Sequence, residues 1–206
     1  MEASLISHWH EAPTLRGETV LLRPLEEADW QALAQAHDGP EILRYFPFGP
    51  DSAPPSAETV AAAVRDPARQ ALAQVSLATA AVVGSTSLYQ IDEARRQLTI
   101  GYTWFSESSR GGPLNVEAKL LLFRYAFDML GAVRVQLNVD LLNQRSLRAV
   151  DRLGAQREGV LRRHARRRDG SWRDTVVFSV IDEDWKAVEE NLVTLLASRV
   201  RARHGR

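Results

Sequence analysis

Arg110-Gly111-Gly112-Pro113 closes a short polar loop between an apolar run, residues 98–105, and a long apolar segment that begins at Leu114. Glycines have no Cβ, so backbone there can approach a ligand closely. The first turn of a helix offers unpaired N–H groups and partial positive charge, so a strand feeding a helix through this loop suits an anion such as a phosphate. Arg110 adds a forked cation for the same anion. A plain turn is the competing reading, and the rest of the chain must decide. Asn143 and Ser146 form a second polar pair, three residues apart at the head of a helical pattern. By position alone Asn143 is an N-cap and Ser146 fills the first turn. The run from Arg162 to Arg168 is the strongest local charge; it lacks interleaved aromatics apart from Trp172, so a solvated strand face is favoured over a nucleic-acid surface.

The composition removes several chemistries. The 206 residues carry 26 basic and 26 acidic side chains and no cysteine. Balanced charge gives no global pull toward nucleic acid or membrane, and the lack of thiols excludes disulfides, thiolate metal sites and a cysteine nucleophile. No run approaches the roughly 18 apolar residues of a membrane span, and the five histidines are scattered, so neither a membrane nor a metal is expected. A cytoplasmic location is the corresponding expectation.

The elements that would position these residues follow from periodicity and punctuation. A strand ends at Pro24, a short amphipathic helix follows over 26–37, and residues 41–56 hold three aromatics and four prolines, which makes a shaped loop that is a candidate pocket wall. A helix over 57–65 leads to strands over 71–80, 82–91 and 98–105. The segment 114–130 is apolar on most sides, predicting a buried helix capped by Gly131. Residues 133–139 alternate as a strand, the helix headed by Asn143 closes at Gly154, and Asp169-Gly170 marks a hairpin between 156–168 and 172–181. Residues 182–201 finish as a helix whose apolar stripe faces either the core or a second subunit. One domain over 14–201 is expected, with flexible segments at 1–13 and 202–206.

The order of Leu22-Arg23-Pro24-Leu25, Ile100-Gly101-Tyr102, the Arg-Gly-Gly loop, Asn115-Val116-Glu117-Ala118-Lys119, Asn143-Gln144-Arg145-Ser146, Leu153-Gly154 and Arg173-Asp174-Thr175 resembles the GNAT superfamily of N-acetyltransferases, nearest its RimJ/RimL-type branch. The resemblance implies an α/β (α+β) fold, a mixed central sheet of about seven strands with flanking helices. It also implies acetyl-CoA as cosubstrate and a primary amine, on a protein N-terminus or a small molecule, as acceptor. Arg110, Gly111, Gly112, Leu114 and Asn115 would then cradle the pyrophosphate, Asn143 and Ser146 would meet the pantetheine and its sulfur, and the strand through Trp104 would pair with the pantetheine arm. A backbone N–H near Tyr102 would stabilise the developing oxyanion.

The sequence departs from that pattern at four places, one of them Asn115 in place of the small residue that ends the loop. Pro113 replaces a glycine of the loop and removes one N–H, Val150 stands where many members carry an acidic tyrosine, and Thr99 stands where RimL-like members carry a glutamate base. Asp140 and Glu107 are base candidates by position only. Direct attack by a neutral amine is the simplest mechanism, since no cysteine can be acylated. The alternatives are a non-catalytic acyl-CoA-binding or sensor protein and an RNA-associated accessory protein; a homodimer is possible.

Overall fold

A computed structural model describes residues 8–39, 42–46, 53–167 and 169–204. Elements appear in the order β1 Leu15–Arg16, β2 Val20–Pro24, α1 Trp30–Ala36, α2 Ala57–Arg65, β3 Arg69–Ser76, β4 Val82–Asp92 and β5 Gln97–Phe105. Then come α3 Leu114–Arg124, β6 Arg134–Asp140, α4 Gln144–Leu153, β7 Gln156–Arg166, β8 Trp172–Ile181 and α5 Asp182–His204. The strands form one sheet in the order β1-β2-β3-β4-β5-β6-β8-β7. Its single parallel pair is β5 with β6, joined by α3 as the strand-helix-strand pattern predicts; every other neighbour is antiparallel. The sheet has eight strands instead of about seven because residues 15–16 pair with 21–22 as a separate short strand.

Helix α3 sits where its composition puts it, with Ala118, Leu122 and Phe123 fully buried. Its continuation differs from expectation. The α-helix ends at Arg124 and Tyr125–Met129 form a π-turn, closed by the Leu130 N–H donating to the Tyr125 carbonyl at 3.0 Å. Tyr125, Ala126 and Phe127 are buried within this wider turn. Met129, within the segment expected to be buried on most sides, is 67% exposed. Gly131 follows with φ 66°, as its capping role predicts.

Glu117 ties this helix to the opening hairpin. Its carboxylate accepts the N–H groups of Glu18, Thr19 and Val20 at 2.7–2.9 Å and the Thr19 hydroxyl at 2.6 Å. Gly17 is required beneath it, since a Cβ there would lie 2.4 Å from the Glu117 carboxyl carbon. Helix α5 closes on the other side: Trp185 lies 5.2 Å from the Phe127 ring and donates its indole N–H to Asp128 at 2.8 Å. Trp185, Val188 and Leu192 are buried, so the core takes the apolar stripe of the last helix.

The described residues at both ends hold local structure. Residues 8–13 are not loose: Trp9 is buried in the main core and the Tyr125 hydroxyl donates to the His8 carbonyl at 2.8 Å. At the other end α5 runs on to His204, so part of the expected tail is helical. The loop expected over 41–56 lies partly outside the described residues; within it Ile42 and Leu43 are buried in a second cluster with Leu33 and Trp104.

Candidate active site

The site begins as a failure of pairing. Strands β5 and β6 are in register only from Gln97–Arg134 through Thr99–Gln136. Beyond that β5 continues to Phe105 and β6 to Asp140 without pairing, so a gap opens between them. The cause is a bulge. Between the pairs Ser87–Gly101 and Ser85–Trp104, β5 carries two residues, Tyr102 and Thr103, against the single Thr86 of β4. Tyr102 takes φ 51°, and the extra residue bends β5 away from β6.

Four hydrogen bonds hold the bulge. The hydroxyls of Thr86 and Thr103 are 2.7 Å apart, Lys119 Nζ on α3 donates to Thr103 Oγ1 at 2.7 Å, and Gln74 Nε2 donates to the carbonyls of Ser85 and Trp104, each at 2.9 Å. Gly84, the cross-strand partner of both Gln74 and Phe105, leaves the space that the Trp104 carbonyl enters.

The N-terminus of α3 forms one end of the gap. Gly111 has φ 74°, a conformation glycine adopts without strain, and its carbonyl accepts from Arg199 Nη1 at 3.1 Å. The Asp38 carboxylate accepts the N–H groups of Glu107 and Ser108, which anchors the start of the loop to the end of α1. Pro113 is helical, with φ −72°, at the N-cap of α3, so its ring preorganises the first turn while leaving the Leu114 and Asn115 N–H groups at the helix start. Across the gap, Asn143 caps α4 by accepting the Ser146 N–H at 3.0 Å on Oδ1. The cap and a ligand role are compatible, because the Asn143 NH2 group is a separate donor.

These parts enclose a cavity of about 460 Å³. Arg110, Gly111, Gly112, Asn115, Asn143 and Ser146 line one end. Tyr89, Tyr102, Asn138 and Arg173 group together at the other, and Trp104 and Lys119 also line it. Asp140 stands between the two groups, its carbonyl accepting the Asn143 N–H at 2.8 Å and its carboxylate 4.0 Å from Arg173. Leu114 is buried beneath the loop and offers only its backbone.

Burial dominates the electrostatics. It pushes the Lys119 ammonium down to about 7, since the described side chains around it include no acid to compensate. Burial and the nearby Arg145 lower Arg110, and burial lowers Arg173. Burial would raise Asp140, but Arg167 hydrogen bonds to both of its oxygens, at 2.8 and 2.9 Å, and the Leu142 N–H adds a third. Its carboxyl therefore stands below the usual range.

The sequence-derived residues thus divide. Arg110, Gly111, Gly112, Asn115, Asn143, Ser146, Tyr102 and Trp104 meet around one cavity, while Leu114 lies beneath the loop. Asp140 also lines it; Arg167 bridges both of its oxygens, so the carboxylate ties the β7–β8 hairpin to β6 and is held below the usual carboxylate range. Glu107 does not line the cavity, and the Thr99 hydroxyl is spent on Gln90 Oε1 at 2.9 Å. The arginine run is for the most part a solvated strand face, except that Arg167 turns in to Asp140. Sequence reading missed Lys119 and Arg173. The signal for Lys119 was available, since it is one of two lysines and interrupts a buried helix. Among the described residues no group of His, Asp and Glu is placed to hold a metal ion, and no helix is long and apolar enough to cross a membrane.

A mixed sheet splayed at a bulge, with a helix N-terminus pointing into the split, defines an acyltransferase architecture, and comparison with known proteins specifies it. Residues 19–156 match the Acetyltransferase (GNAT) domain, so the chain belongs to the GNAT acetyltransferases and is an enzyme of that kind. The N-acetyltransferase p20 of Bacillus licheniformis, itself uncharacterised, is 26% identical over 176 residues, 84% of this chain and 98% of that protein. Among solved structures, a protein of T. thermophilus assigned as an acetyltransferase is 37% identical, with a TM-score of 0.82 over 91% of this chain and 99% of that one. RimJ of Mycobacterium smegmatis, solved in complex with CoA-disulfide, shares the fold at a TM-score of 0.71 and 22% identity, covering 87% of this chain and 90% of that one.

Proposed function

We propose that this acetyltransferase takes its acetyl group from acetyl-CoA and transfers it to a primary amine by direct attack. The observation that carries the reading is the gap between β5 and β6, which opens into one cavity lined by the Arg110–Asn115 loop and by the polar group of Tyr89, Asn138 and Arg173. A donor with an anionic head and an extended amide arm matches that shape. The pyrophosphate would sit on Arg110 and the N–H groups of Gly111, Gly112, Leu114 and Asn115, with the helix N-terminus adding positive potential. The arm would run along the unpaired part of β5 past Trp104, as an added strand does. Asn143 would donate to an amide carbonyl of that arm.

At the thioester, the amine nitrogen attacks the carbonyl carbon, the carbon–sulfur bond breaks, and the sulfur leaves with the electron pair. A backbone N–H at the Tyr102 bulge would face the developing oxyanion, and the Ser146 hydroxyl would hydrogen-bond the departing thiolate, which takes its proton from solvent as the amine gives one up. Proximity of two bound reactants does most of the remaining work. The acceptor reacts as the free amine, its proton passing to solvent, which is consistent with the absence of an uncommitted carboxylate among the described lining residues.

Thermal unfolding tests the donor assignment. Acetyl-CoA at about a hundred times its dissociation constant adds roughly 2.7 kcal/mol to stability. A saturable rise in Tm is expected for the native protein and a much smaller one for Arg110→Ala with Asn143→Ala. No rise up to millimolar acetyl-CoA would refute the donor site.

A further inference from the structure

The far end of the cavity carries a cationic group without a full partner. Arg173 on β8 is half-buried, with 15% of its side chain exposed, and its Nε is enclosed without a hydrogen bond. The nearest acid oxygen is Asp140 Oδ2 at 4.0 Å, and that carboxylate is already bridged by Arg167. A second guanidinium, that of Arg69 on β3, lies 4.6 Å over the Tyr102 ring, which in turn packs 5.0 Å from the Tyr89 ring. Asp140 is the one acidic residue among the described residues lining the cavity, against five arginines: Arg110, Arg145, Arg152, Arg173 and Arg199. Three of these lie on or beside the α3 and α4 N-termini or on α5, toward the proposed donor end, whereas Arg173 faces the two tyrosines.

A buried guanidinium is costly unless an anion pairs with it, and leaving one donor unmet adds to the cost. The cost is offset if the anion arrives with the substrate. Arginine matches a carboxylate in a forked, two-bond geometry, and Nε is one arm of that fork. The same positive field repels an ammonium ion and favours the neutral amine that must attack. A purely cationic acceptor such as a polyamine is the wrong partner for this pocket.

Resting on the acetyltransfer reading above, we propose that the acceptor is a small amino acid whose carboxylate is held by Arg173 while its amine faces the thioester at the Tyr102 bulge. Tyr89 and Asn138, joined by a 3.4 Å hydrogen bond, flank the same pocket and offer polar contacts to the acceptor backbone.

The test is thiol release from acetyl-CoA with acceptors matched in size: an amino acid, its carboxamide and its decarboxylated amine, each presented to the native protein, Arg173→Lys and Arg173→Met. The native protein should favour the acid over the carboxamide by roughly 10- to 100-fold in kcat/KM, the worth of a charged hydrogen bond. Arg173→Met should bring that ratio close to one, and Arg173→Lys, which keeps the charge and loses the fork, should fall between. Acetyl-CoA stabilisation of each variant reports that it is folded and binds the donor. Turnover of all three acceptors at similar rates by the native protein, or an equal loss on acid and amide in Arg173→Met, would overturn the acceptor assignment alone. Absence of thiol release with every amine at saturating acetyl-CoA would overturn the acetyltransfer reading as well.

Discussion

Gly84→Ala is expected to unfold the protein or weaken it by at least about 3 kcal/mol, as substitutions that force backbone atoms apart do. A Cβ on Gly84 would stand 2.0 Å from the Trp104 carbonyl oxygen and 2.9 Å from its carbon. Both are main chain, so no side-chain rotation relieves the overlap. The Trp104 carbonyl is there because the bulge swings β5 toward β4 and Gln74 reaches across to bind it. The methyl group therefore strikes the device that opens the gap. Gly159→Ala is the control, since a Cβ there meets nothing within 4 Å and its φ is not positive; a change within about 0.5 kcal/mol is expected. Urea unfolding midpoints measure both. An unchanged midpoint for Gly84→Ala would mean that the bulge does not press on β4.

Lys119→Met is expected to do the opposite and stabilise the unliganded protein, by about 2–4 kcal/mol near pH 7. The unfolded lysine holds its proton up to about 10.5, whereas burial brings the folded group to about 7. Between those limits the unfolded chain binds more protons, so the lysine makes stability rise with pH. Its penalty is complete below about pH 7 and fades as pH approaches 10.5. The advantage of methionine should therefore be largest at pH 6–7 and small by pH 10, which paired thermal melts across that range would reveal. A variant less stable at every pH would mean that the Thr103 hydrogen bond outweighs desolvation. The lysine also pins the bulge through Thr103, so a gain in stability with a loss of kcat is the pattern of a residue retained for the site and not for the fold.

Much of this was readable before any coordinates. The Asn143 cap, the Gly131 and Gly154 helix ends and the parallel β5–α3–β6 unit follow from local rules, because each depends on a few neighbouring residues. The loop and the Asn143–Ser146 pair carry short-range patterns of the same kind, and the fold brings them to one cavity. What sequence could not give is contact across distance. Asp140 reads as an available acid at a strand end until Arg167, from the hairpin, is seen to occupy both of its oxygens. Arg173 reads as one more strand residue until the β7–β8 hairpin carries it past the end of β6, beside Asp140 and the two tyrosines. The π-turn after Arg124 escaped because helical periodicity has no term for an extra residue, and Met129 within it is exposed.

The decisive measurement is the paired yield of free CoA thiol and acetylated amine from one reaction of the native protein with acetyl-CoA and a small amino acid. Equal amounts of the two, with initial-rate lines that intersect as both substrates are varied, are the predicted result of direct attack within a complex of both substrates. Thiol appearing without acetylated amine, or neither product forming, would contradict transfer across the β5–β6 gap.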